Sequence, residues 1–254
     1  MDDSESSDPT RWLGCPVTLA VALTVAVIGS PSLTEAAGNV TVQQVRGELR
    51  IKGDDEANQI GLVSEGVGQF EVGVDPSGTI NHITGGTFVA EGVRDIAVSL
   101  GGGDDVVILL DVFVPGNLRI DTGRGNDSIN GQDSSAGALQ IFTGRGDDTI
   151  LWDGGTFGSL RICTGAGADQ VALSVVDVTG DTFIDLGSGP DRFDSFVQTF
   201  GGRVKVAAGT GDDTIALDSS VFNGPAMFGG GGGSHTFDPG QSKFDGGITT
   251  KNFP

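Results

Sequence analysis

The chain has 254 residues, of which 44 are glycine and 19% are charged, with a formal net charge of −20 and a pI near 4.1. That acidity argues against a surface built for nucleic acid or anionic lipid and favours cations as ligands. Sparse charge and the lack of a three-residue glycine period exclude generic disorder and collagen, and the length suits one domain or one extended array.

Residues 17–28, VTLAVALTVAVI, form an apolar run too short for a comfortable membrane span. GSPS and a small-residue stretch follow it, with Thr34 and Ala36 in A-x-A-like positions. Residues 1–36 therefore read as a signal peptide cleaved near Ala36 or Ala37. The expectation is a protein secreted to the extracellular space or cell surface, with no stable membrane span after cleavage. The leader MDDSESSDPTR is acidic and has Arg11 as its only base, which fits such a peptide badly. Cys15 precedes the apolar run, the wrong side for lipidation. Removing the leader leaves Cys163 alone, so no intrachain disulfide forms.

Residues 37–100 read as less regular coils with a cap. In GELRIKGDDEANQIGL, the apolar residues Leu49, Ile51, Ile60 and Leu62 anticipate the pattern that follows, and Asn58 falls where later rungs carry Asp. Residues 63–100, with Phe70, Val72, Val74, Ile80, Ile83 and Phe88, are expected to span roughly two further coils.

Residues 101–237 carry the strongest signal. The string G-x-G-x-D-x-hydrophobic begins at Gly101, Gly123, Gly144, Gly165, Gly187, Gly209 and Gly231, always 21 or 22 residues apart. Four residues on stand Asp105, Asp127, Asp148, Asp169, Asp191 and Asp213, and His235 in the seventh copy. Three residues before the glycine, Val98, Ile120, Ile141, Ile162, Ile184, Val206 and Phe228 are all apolar, and six after it Val107, Ile129, Ile150, Val171, Phe193, Ile215 and Phe237 are apolar too. Spacing of two among apolar sites is strand alternation, and a fixed period of this size marks a solenoid. The fold class is therefore all-β: a single-stranded, right-handed parallel β-helix of ~22-residue rungs, with like residues stacked in columns about 4.8 Å apart. Residues 238–254 lose the glycine pattern and read as a C-terminal cap.

Two glycines in a tight inter-strand turn need φ > 0 or close backbone approach. One Asp in such a turn can be explained by its side chain bonding local N–H groups. Six carboxylates stacked at about 4.8 Å repel one another unless they are neutralised, protonated or splayed. Asp104, Asn126, Asp147 and Asp212 crowd the preceding position. A hard cation shared between rungs would resolve the repulsion, and calcium suits oxygen ligands in flexible geometry better than magnesium. Arg124 and Arg145 offer neutralisation without metal, and His235 suits a cap better than a calcium ligand.

TGRGDDTIL, residues 143–151, resembles the RTX or haemolysin-type nonapeptide G-G-x-G-x-D-x-hydrophobic-x of calcium-binding parallel β-rolls. Carried over, Gly123 and Gly125 with Asp127, Gly144 and Gly146 with Asp148, and Gly209 and Gly211 with Asp213 match its second glycine, third glycine and aspartate. The resemblance implies that each Asp bridges calcium and that glycine carbonyls are co-ligands. Two features depart from it: the leading glycine is usually Leu, Thr or Ala, and the copies lie 21–22 residues apart rather than nine. Secreted bacterial β-helix proteins with one such turn per rung are the closer likeness.

The sequence therefore points to a secreted, calcium-binding repeat protein with a structural or adhesive role, with cell-surface polysaccharide or matrix protein as its macromolecular partner. A polysaccharide-binding or polysaccharide-degrading β-helix enzyme is the alternative. Against catalysis, the only histidines are His82 and His235, bases are sparse, and no rung carries an inserted loop to wall off a cleft. Asp153 and Asp177 are acids off the column, with nothing to mark them as a hydrolytic pair. Thr122, Thr143 and Thr164 form a rank that breaks at Leu186 and Ala208, too short for an ice-binding face.

Overall fold

The computed structural model describes residues 38–253, so the segment read as a signal peptide lies outside the described residues. Those residues form an all-β parallel solenoid with no helix. Each rung contributes a strand to a 16-stranded sheet and another to a 10-stranded sheet, and the two sheets enclose the core. Phe113–Arg124, Ser135–Arg145 and Thr156–Ala166 are neighbours in the larger sheet; Ser128–Gln132, Thr149–Asp153 and Gln170–Ser174 are neighbours in the smaller one.

Alternation along each strand decides what is inside. Ile120, Ile141, Ile162 and Ile184 are direct partners from rung to rung and are fully buried. Each buried isoleucine contributes about 1.5–3 kcal/mol relative to an exposed one. From the smaller sheet Ile129, Ile150, Val171 and Phe193 fill the other side of the core. A local volume exchange shows how tight the fit is. Trp152 is 2% exposed and packs edge-on against Phe157, and its bulk is admitted because Gly131 lies opposite. A Cβ on Gly131 would lie 2.4 Å from Trp152 Cδ2.

Residues 63–94 differ from the expectation of two more coils. Glu48–Lys52 pairs in parallel directly with Asp95–Gly102, and Gln59–Gly66 with Val106–Leu110, so one coil passes straight to the next. Between them the chain leaves the helical path. Gln69–Val74 runs antiparallel to Gln59–Gly66, and Thr87–Ala90 antiparallel to Gln69–Val74. Asn39–Val45 also folds antiparallel on Glu48–Lys52, through Arg46 and Gly47 at φ 52° and 81°, the two positive angles of a tight hairpin turn. These hairpins occupy the first end of the stack, where an open strand edge would otherwise invite association.

The tail differs too. Its glycine motif is lost, but its register is not. Lys243–Phe244 pairs with Val221–Phe222, and Ile248–Lys251 continues alongside Ala226–Gly232. Phe222 and Phe244 stack with ring centroids 4.7 Å apart, and Phe253 lies against Phe237. The last coil thus both extends the solenoid and covers its end with aromatic rings.

Candidate functional site

The repeated turn begins from its glycines. Gly123 and Gly125 have φ of 105° and 127°, and Cβ atoms there would meet the carbonyl oxygens of Gly101 and Gly103 at 2.1 and 2.0 Å. Any side chain would push the rungs apart. The same close approach holds at Gly144, Gly146, Gly209 and Gly211, so the turns nest backbone on backbone along the whole array.

Nesting leaves turn amides aimed along the axis, where no strand partner exists, and side chains satisfy them. The Oδ1 atoms of Asp127, Asp148, Asp169, Asp191 and Asp213 accept the N–H of the column residue one rung earlier, at 2.8–2.9 Å. Asp105 does the same for Asn58 at 2.7 Å, so Asn58 heads the column as its sequence position suggested. All these residues are buried.

A second, exposed column runs in the opposite sense. The side-chain oxygens of Asp104, Asn126 and Asp147 accept from the N–H of Asn126, Asp147 and Ala168 in the following rung, and Asp212 accepts from Ser234. Ala168 has no acceptor to offer, but the next residue in its column is Pro190, which has no N–H to satisfy. Sequence reasoning saw the crowding of oxygens here and missed their pairing. The available signal was the step from Ala168, without a side-chain acceptor, to Pro190, without a donor, although the next step, from Pro190 to Asp212, does not repeat it.

The inner column is only half satisfied. The Oδ2 atoms of Asp105, Asp127, Asp148, Asp169 and Asp191 are buried with no hydrogen-bond partner. Burial pushes Asp105 up to about 8 and Asp148 and Asp191 up to about 7, and neighbouring carboxylates push the same way. Burial likewise raises Asp127 and Asp169. Hydroxyls of Thr122, Thr143 and Thr164 oppose the shift at the three middle aspartates. These threonines point inward and are fully buried, so they form no outer rank at all. At the far end His235 is buried, with Nδ1 3.0 Å from Asp213 Oδ2.

Arg124 and Arg145 do not neutralise the column: both are exposed and form no ion pair among the described residues. Cys163 is half-buried and unpaired, and burial pushes its thiol up.

As a cation site the column has the right atoms, all hard oxygens, with five Oδ2 unpartnered and the sixth beside His235. Side chains alone present only two Oδ2 to each inter-rung gap, and among the described residues no group of three or more His, Cys, Asp or Glu gathers around one point. A calcium shell takes about six to eight oxygens. No closed cage of side chains therefore forms among the described residues, and a cation held here would need oxygens beyond the column's carboxylates.

Among the described residues no helix is long and apolar enough to cross a membrane. Compared with protein families, curated proteins and solved structures, the chain finds no match.

Proposed function

We propose that this chain is a secreted, non-catalytic structural solenoid whose buried Asp column takes up calcium and is stiffened by it. One observation carries the reading: five stacked, solvent-excluded carboxylate oxygens have no partner, and the sixth, on Asp213, faces only His235. An unpaired buried charge is expensive, so each carboxylate must take a proton or share a cation. Calcium in the inter-rung gaps would bridge successive Oδ2 atoms, and the glycine turns would bring main-chain carbonyls near them. The resemblance of the G-x-G-x-D turn to calcium-binding repeats supports the same assignment, and the apolar leader supports export to where calcium is plentiful.

Melting at mildly alkaline pH, with calcium and with chelator, tests this. A ligand bound only by the folded state stabilises it by about 2.7 kcal/mol at one hundred times Kd. Calcium should raise the melting temperature, Asp148→Ala should shrink that gain, and Asp177→Ala, off the column, should leave it intact. Equal melting in calcium and chelator, with no heat on titration, would reduce the column to turn chemistry.

A further inference from the structure

Outward from the Ile120 column, the larger sheet presents a second periodic file. Following direct strand partners, it reads Arg50, Ala97, Arg119, Gln140, Arg161, Phe183, Lys205, Met227 and Thr249. A base stands at every second rung: Arg50, Arg119, Arg161 and Lys205. All four are exposed. At rungs about 4.8 Å apart, successive positive charges lie about 10 Å apart in a straight line. Four of the chain's 14 bases thus lie in one file on a molecule of net charge −20.

Aromatic rings lie against three of these bases. The Arg119 guanidinium lies 4.1 Å from the Phe142 ring centroid, Arg161 sits 4.8 Å over Phe183, and Lys205 is 5.3 Å from the same ring. Stacking of this kind fixes a cation without consuming its N–H groups. Arg50 and Arg119 also pair with Glu48 and Asp121 on their own strands, whereas Arg161 and Lys205 have no carboxylate partner among the described residues. Two open grooves lie along the same face: one of about 740 Å³ has Arg46, Arg50, Arg94 and Arg119 against Glu48 and Asp95, and the other, of about 410 Å³, has Phe183, Arg203, Lys205 and Met227 against Asp181.

We propose that this basic–aromatic file is a binding surface for a linear acidic polysaccharide carrying one anionic group per disaccharide, laid parallel to the solenoid axis. A pyranose is close in length to one rung, so a disaccharide repeat matches the two-rung interval between bases. The intervening Phe183 and Met227 offer apolar contact to the uncharged sugar between. Nucleic acid is a poorer match: duplex DNA carries a charge per about 1.7 Å of axis, too dense for the file. This surface is independent of the Asp column and needs no calcium.

Affinity electrophoresis of the full chain in chelator is the test, with hyaluronan as probe and polygalacturonate, dextran and a single-stranded oligonucleotide as comparisons. Hyaluronan should retard the protein most, at low ionic strength more than at physiological ionic strength, and dextran should not retard it. Arg161→Gln with Lys205→Gln should weaken hyaluronan binding about tenfold with an unchanged circular dichroism spectrum. Asp177→Asn, off both the Asp column and the basic file, should bind as the native chain does. No retardation by hyaluronan in chelator, equal retardation of the double variant, or stronger retardation by polygalacturonate or the oligonucleotide would each overturn the proposal.

Discussion

His235 Nδ1 lies 3.0 Å from Asp213 Oδ2, both side chains wholly buried, and this contact ends the file of aspartates. Every earlier Asp offers its Oδ1 to the residue one rung before it, and each is in turn served by the Asp that follows. Asp213 has no following aspartate, and the imidazole stands in that place. Removing it should leave a buried carboxylate without its neighbour, at a cost of about 1–3 kcal/mol. His235→Leu is therefore expected to lower the urea midpoint at neutral pH with little change in slope. An unchanged midpoint would mean that the contact contributes nothing.

The column should also reverse the usual acid behaviour of a carboxylate. With Asp105 raised to about 8 and Asp148 and Asp191 to about 7 from 3.8, these groups take up protons on folding. The column's contribution to stability in chelator should therefore be greatest below about pH 4 and fall as pH rises toward 7–8, because its aspartates bind more protons in the folded state across that window. Asp148→Asn keeps an acceptor for the Asp127 N–H and carries no charge. That variant should flatten the slope without unfolding the chain, whereas Asp148→Ala should lose stability at every pH. Chemical denaturation across the pH range reads both effects. A native chain that gains stability from pH 5 to 8 in chelator would contradict the raised values.

The repeat made the fold legible because its period and its apolar register are long-range information written locally. Ile120, Ile141, Ile162 and Ile184 lie in the column that their spacing predicted. The N-terminal excursion was not legible: Phe70, Val72 and Val74 alternate with period two, and that alternation is the same for a parallel coil and an antiparallel hairpin. The sharper signal lay in Val67-Gly68, where Gly68 turns at φ 69° between the paired strands. In the tail, Phe244 keeps register with Phe222 although no glycine motif accompanies it, so a search keyed to glycine stopped one coil early. At the candidate site, sequence placed all six aspartates on one column but not their direction. That depends on which turn amides lack strand partners, a three-dimensional fact.

The opposite turn of each rung stores strain that one substitution should release. Asp111, Asp133, Gly154, Val175, Val197 and Ser219 recur there at the rung interval, all with positive φ. Gly and Asp tolerate the left-handed region, but a β-branched side chain does not, and a non-glycine residue held there costs about 1–3 kcal/mol. Val175 sits at φ 53° and is 54% exposed, so its side chain recovers little of that cost through burial. Its N–H donates to Phe196 O at 3.0 Å, which fixes the backbone whatever the side chain. Val175→Asn should thus raise stability by about 1 kcal/mol, since Asn favours this conformation. Denaturant unfolding of the native and variant chains at one pH measures the difference. A midpoint that stays level or drops would show that Val175 contributes more through its exposed apolar contacts than its backbone costs.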